Sequence, residues 1–262
     1  MTFKLALVQM RVEGGRKAAN LARATERIAA AAAHGAQVVL LPEALSLGWM
    51  HPSAASEADT VPEGESCAAL AAAARAHGVF VCAGLVERDG ARIFISAVLL
   101  APSGDVLLHH RKINELEMAH ACYALGDRLG VADTPLGRIG VMICADGFAP
   151  GQAIGRALGL MGAQVILSPC AWAVPPDHDN AARPYGWLWR ENWGPVARDF
   201  RLWIAGASNV GRLDHGPWAG HPCIGNLLCV GPDGADAVCG PYGADAEALL
   251  IADITPIPRP AR

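Results

Sequence analysis

Three residues have the types to do chemistry together, and each stands where a strand gives out: Cys144, Glu43 and Lys112. The stretch "GVMICADGFAP", residues 140–150, carries its apolar run to Cys144 and breaks at Ala145-Asp146-Gly147, which reads as a strand entering a sharp turn. Glu43 follows "VVLLP", and Lys112 follows "VLLHHR". A thiol is a good nucleophile only as thiolate, of which a free side chain with pKa about 8.5 offers a few per cent at neutral pH. It needs a base. No His-Asp pair is placed to serve, which leaves a carboxylate, and burial at the end of a core strand would raise Glu43 toward neutrality. Lys112 would then stabilise the oxyanion formed when sulfur attacks a carbonyl carbon, aided by the backbone N–H after the cysteine. One such donor is worth roughly 3–4 kcal/mol.

Taken singly, each has a blander reading. Cys144 is one of eight cysteines and would by default be a core thiol. Glu43 would suit the first turn of a helix, and Lys112 a solvated strand end paired with Glu115 or Glu117. Their joint placement at three strand ends favours the reactive reading, because ligands of open α/β sheets gather where strands end and loops begin.

The elements that must position them are written twice. "GAQVVLLP" (35–42) and "GAQVILSP" (162–169) agree at six of eight positions. In the same order "KLALVQM" from Lys4 aligns with "RIGVMIC" from Arg138, "HGVFVCAG" from His77 with "FRLWIAG" from Phe200, and "LLAPSGDV" from Leu99 with "CVGPDGAD" from Cys229. Each half reads strand, helix, strand, helix, strand, then a hairpin turning at Pro102-Ser103-Gly104 or Pro232-Asp233-Gly234. Nearly continuous apolar strands ask for cover on both faces, supplied in the first half by helices near residues 17–33 and 65–77. The expected fold is α/β, a four-layer α-β-β-α sandwich built from two pseudo-symmetric halves, with residues 1–262 as a single domain.

Composition narrows the partners. The chain has 262 residues, 52% of them apolar, and a formal net charge of −4 with no basic stripe, which argues against nucleic acid and against a membrane surface. "MTFKLALVQM" lacks the features of a signal peptide and reads as a first strand, so a cytoplasmic protein with reduced cysteines is expected. The longest uncharged run, Ala157 to Pro176, holds Gly162, Gln164 and three prolines and reads as a helix end followed by a strand. His109, His110, His120 and Cys122 complete no familiar ligand spacing, so no metal is expected. The Trp-rich segment from Pro184 reads as a helix whose Trp189 and Trp193 pack in the core or at a subunit interface. Trp172, after a strand end, would wall a pocket. "PPDHDNAARP", from Pro175, is a polar, Pro-bounded loop suited to a lid.

"LLPEAL", "HHRKIN" and "GVMICADGFAP" together resemble the signature segments of the nitrilase superfamily of carbon-nitrogen hydrolases, in that family's order. The opening "LALVQM", the strand "IAGASNVG" and the closing "GPDG" turn extend the likeness over nearly the whole chain. The resemblance implies a thioester mechanism with Cys144 as nucleophile, Glu43 as base and Lys112 on the tetrahedral intermediate. It implies no cofactor, a small-molecule amide substrate and a homodimer or larger assembly. Members also carry a second glutamate after the lysine that positions substrate; Glu117 is the first candidate here and Glu115 its rival. Ala145 stands where the family often has an aromatic residue, and Gly151 follows Pro150 where Glu is common; both bear on pocket shape. Three functions stay open: an amidase or N-carbamoyl amidohydrolase, a nitrilase, and a silent binding scaffold of the same fold.

Overall fold

The first strand, β1 (Phe3–Gln9), turns Phe3, Leu5 and Leu7 to one side and Ala6 and Val8 to the other, and all five are buried. That two-sided burial sets the layering. In the computed structural model, which describes residues 1–258, the first half continues through α1 (Lys17–Ala33), β2 (Val38–Leu40), α2 (Ala54–Glu57), α3 (Glu65–His77), β3 (Phe80–Asp89), β4 (Arg92–Leu100) and β5 (Val106–Arg111). The second half comprises β6 (Val131–Thr134), β7 (Gly137–Val141), α4 (Ala153–Leu160), β8 (Val165–Cys170), α5 (Trp187–Phe200), β9 (Trp203–Ser208), β10 (Val210–Arg212), β11 (Pro222–Ile224), β12 (Leu228–Val230), β13 (Asp236–Cys239) and β14 (Ala248–Ile254).

Two six-stranded sheets result, ordered β14-β1-β2-β3-β4-β5 and β13-β12-β9-β8-β7-β6. Read from opposite ends, they are the same sheet. Leu5 pairs with Val38 in the first as Ile139 pairs with Val165 in the second, both parallel. Val38 pairs with Phe80 as Val165 pairs with Trp203, and Val81 with Leu100 as Ile204 with Val230. The internal repeat seen in the sequence is therefore reproduced in the hydrogen-bond register. An antiparallel strand caps each β1-type edge: β14 on β1, and β6 on β7.

Phe3, Leu5, Leu7, Val38 and Leu40 share one apolar cluster with Ile139, Val141, Val165 and Leu167 of the second sheet. Ala6, Val8, Val39 and Leu41 join a different cluster with Leu21, Ala24 and Ile28 of α1 and Leu70 and Ala74 of α3. On the second sheet the outer cover is α4 and α5, whose Leu158, Val196 and Ala197 are buried. These contacts make the α-β-β-α order. The uncharged run from Ala157 divides as expected into the end of α4, a turn at Gly162 (φ +92°) and β8. No helix among the described residues is long and apolar enough to cross a membrane.

Candidate active site

Beyond β2 the chain is carried along β3 by Leu41 N donating to Cys82 O (2.8 Å) and Gly84 N donating to Pro42 O (3.0 Å). Gly84 has to be glycine here, since a Cβ on it would lie 2.5 Å from Glu43 Cα. Glu43 is thereby pressed toward the second sheet, where its N–H donates to Cys170 O (3.1 Å). Lys112 leaves β5 with its N–H on Ile95 O (2.8 Å), and its Nζ donates to Glu43 Oε1 and Glu115 Oε1, both at 2.8 Å. Cys144 follows β7 with φ +43°, a left-handed conformation that costs a non-glycine residue of order 1 kcal/mol or more and needs surrounding structure to hold it. Its N–H donates to Ser168 Oγ (3.2 Å).

Asp146 provides that surrounding structure. Its Oδ1 accepts from Ile113 N (3.0 Å) and Asn114 N (2.7 Å), and its Oδ2 accepts from Ile143 N (2.9 Å) and lies 2.8 Å from His110 Nε2. Asn114 Nδ2 adds a bond to Ala145 O (2.7 Å). One fully buried carboxylate thus fastens the loop bearing Lys112 to the turn bearing Cys144. In the sequence Asp146 stands out only as part of a motif; its function is visible once both segments are in place.

Burial is the chief reason that the Glu43 carboxyl sits above its ordinary range; Lys112 opposes the shift and Glu115 reinforces it. Burial alone would pull Lys112 down, but the charges of Glu43, Glu115 and Cys144 outweigh it and hold the ammonium well above its usual value. The Cys144 thiol is pushed well up by its hydrogen bond to Cys170, then by burial and by the charge of Glu43, against the pull of Lys112. The resting sulfur is therefore a thiol beside the Glu43 side chain.

Glu43, Lys112 and Cys144 open together into one pocket of about 340 Å³, walled by Ala145, Leu116, Met118, Phe148, Ala171, Ala173, Leu188 and an aromatic set of Trp49, Trp172, Tyr185, Trp189 and Trp218. Trp172 and Trp189 stack with centroids 4.8 Å apart, and Trp49 meets Trp218 at 5.4 Å. Ala145 and Trp172 stand where the sequence suggested, at the pocket wall. Trp189 is buried in the core on α5, as expected, and also lines the pocket. Glu117 is a correction. It is exposed on a short 3-10 turn, Glu117–Ala119, while Glu115, three residues beyond the lysine, folds back onto Nζ and also accepts from Leu116 N (2.8 Å). An (i, i+3) spacing over a tight turn returns the carboxylate to its lysine, which residue i+5 cannot match. Trp49 and Trp218 were missed because they sit on irregular loops with no periodic pattern to mark them.

His109 and His110 alternate to opposite faces of β5, to Glu87 Oε2 (2.7 Å) and Asp146 Oδ2 (2.8 Å). Among the described residues, three or more metal-ligating side chains bring their atoms within 4.8 Å of one another only at His51, Asp214 and His215, a partly exposed group that the sequence did not single out. The loop from Pro175 is closed by Asp179 Oδ1, which accepts from Ala181 N (2.9 Å) and Ala182 N (3.2 Å), and delivers Tyr185 to the pocket.

Known proteins are similar to this chain in sequence and in fold. A nitrilase from Pyrococcus abyssi is 36% identical over 177 residues, 66% of each chain. An omega-amidase from Bos taurus is 29% identical over 182 residues, 65% of this chain and 64% of its own. The matched stretches thus span slightly less than two thirds of these relatives. A mutant of the amidase from Nesterenkonia sp. AN1, showing the result of Michael addition of acrylamide at its active-site cysteine, superposes with a TM-score of 0.80 at 22% identity. The superposition covers 97% of this chain and 93% of that one, a likeness of fold. Residues 4–256 match the carbon-nitrogen hydrolase family from end to end, and the chain belongs to that family.

Proposed function

We propose that the protein hydrolyses a small amide with an uncharged, apolar acyl group through a Cys144 thioester. The observation that carries this reading is the convergence of thiol, carboxyl and ammonium in a pocket otherwise lined by aromatic and aliphatic side chains. Sulfur attacks the carbonyl carbon while Glu43 takes the thiol proton; Lys112, with the backbone N–H of Ala145, holds the oxyanion. Protonated Glu43 returns the proton to the departing nitrogen, and ammonia or an amine leaves. Water deprotonated by Glu43 then attacks the thioester and releases the acid, which restores the thiol. Glu115 serves as the second carboxylate, keeping Lys112 charged and aimed. Among the described residues the only cation on the pocket wall is Lys112, already engaged by two carboxylates, so a substrate carboxylate would meet no free partner.

The test is ammonia release from a panel of aliphatic and aryl amides, carboxylated amides, N-carbamoyl compounds and nitriles, with Cys144→Ala as control. Uncharged apolar amides should lead. A Cys144→Ala variant as active as the wild type would end the mechanism, a carboxylated leader would end the substrate class, and preferred turnover of nitriles would make the protein a nitrilase. We further propose one catalytic unit per chain and a symmetric cytoplasmic dimer. Exposed Leu160 and Met161 at the end of α4 support an apolar contact there. Light scattering at several concentrations tests the assembly.

A further inference from the structure

Cys170 is fully buried beside the reactive thiol, and the chemistry above makes no use of its sulfur. Its position follows from strand register. Val141 pairs with Leu167 in the parallel β7–β8 ladder, and Met142 N still donates to Leu167 O at 3.1 Å. Cys170 lies three residues beyond Leu167 at the end of β8, and Cys144 three beyond Val141, where the chain has left the ladder in a left-handed turn. One hydroxyl joins the two residues: Ser168 Oγ accepts from Cys144 N at 3.2 Å and lies 3.4 Å from Cys170 Sγ. The Cys170 side chain is close enough to help hold the Cys144 thiol above its ordinary range, and Cys170 Sγ donates to Ser168 O (3.2 Å). Cys144 opens to the pocket; Cys170 does not line it.

We propose that Cys144 and Cys170 are an oxidative modification site, closing to a disulfide when a hydroperoxide enters the pocket. With hydrogen peroxide, the Cys144 sulfur attacks one oxygen: an S–O bond forms, the O–O bond breaks, and hydroxide leaves as water with the thiol proton that Glu43 relays. The Cys170 sulfur then attacks the sulfenic sulfur, forming S–S and breaking S–O, and the Cys170 proton departs with the hydroxide as a second water. Two thiols lose two electrons, and one peroxide is reduced to two waters. The second thiol competes with further oxidation of Cys144 to sulfinic acid, which thiols do not reverse. The bond depends only on the placement of the two sulfurs. Its effect on turnover rests on the proposed role of Cys144.

The experiment treats the full-length protein with hydrogen peroxide and follows intact mass, a non-reducing peptide map and amide turnover before and after dithiothreitol. Wild type should lose about 2 Da, show a cross-link between the peptides holding Cys144 and Cys170, and regain its activity with dithiothreitol. Cys170→Ala should instead gain about 32 Da at Cys144 and fail to recover. A wild-type protein that gains about 32 Da without a cross-link, or links Cys144 to Cys82 or Cys223, overturns the proposal. So does full recovery of Cys170→Ala. If that variant does not fold, the wild-type map alone decides, and it does so even if no amide is turned over.

Discussion

The two halves of this protein share one register and differ in what stands at the strand ends. Leu5–Val38 and Ile139–Val165 occupy the same place in their sheets, yet Pro42 leads into Glu43 where Pro169 leads into Cys170, and Met10 stands where the second half has Cys144. Met10 shares the cluster beneath α1 and α3, whereas Cys144 lines the pocket with Glu43 and Lys112. Alternation alone would send both to the helix side: a Cβ on Gly140, of the same parity as Cys144, would lie 3.3 Å from Leu158 of α4. The left-handed turn at Cys144 breaks the alternation and redirects its sulfur to the pocket. A repeated scaffold thus sets where reactive groups can sit, while single residues at its ends decide whether any do.

The sharpest way to break the comparison is to remove the redirected thiol. Cys144→Ala should lower kcat/KM for the best amide by at least about 10⁴-fold while leaving the thermal midpoint nearly unchanged, since loss of a nucleophile costs chemistry and not folding. Next comes the base. Glu43→Gln should cost roughly 10²–10⁴-fold. In the wild type kcat/KM should fall with acid through a midpoint above the ordinary glutamate value of 4.5, because burial raises Glu43 and its ionised form is the active one. That acid limb should vanish from the variant's pH profile, and a midpoint at or below 4.5 would remove Glu43 as the base.

Asp146→Asn tests the fastening between the halves' contributions and should act on stability and turnover together. It leaves His110 and a backbone N–H without their charged partner, so chemical denaturation should show a loss of about 3 kcal/mol. Dependence of kcat/KM on Lys112 should fall as well: adding Lys112→Ala to Asp146→Asn should cost less than Lys112→Ala alone. The smallest effect belongs to the silent counterpart. Met10→Leu should change stability by less than about 1.5 kcal/mol, with kcat unaltered. A large loss of turnover there would show that the two strand ends are not chemically independent.

Much of this was legible in the chain. The repeat could be read because apolar strand sequences in the two halves must satisfy the same pairing, and the register bears out each aligned pair. Glu43, Lys112 and Cys144 could be singled out because each stands at the end of a strand. What escaped was whatever depended on side chains meeting across loops: Glu115 in place of Glu117, the pocket faces of Trp49, Trp189 and Trp218, and the fourfold engagement of Asp146. None of these leaves a periodic trace, since a loop's direction is set by the surfaces it lands on.

The sequence by itself determined the layers, the twofold repeat and the strand ends, because hydrophobic periodicity and turn residues act over a few positions. Only the tertiary structure decided that Lys112 lies between two carboxylates, that Asp146 locks two distant segments, and that Cys170 comes to rest beside Cys144. Those juxtapositions join residues up to 69 positions apart, as for Glu43 and Lys112. Two sheets must close face to face, and exclude water between them, before such groups can act on one another.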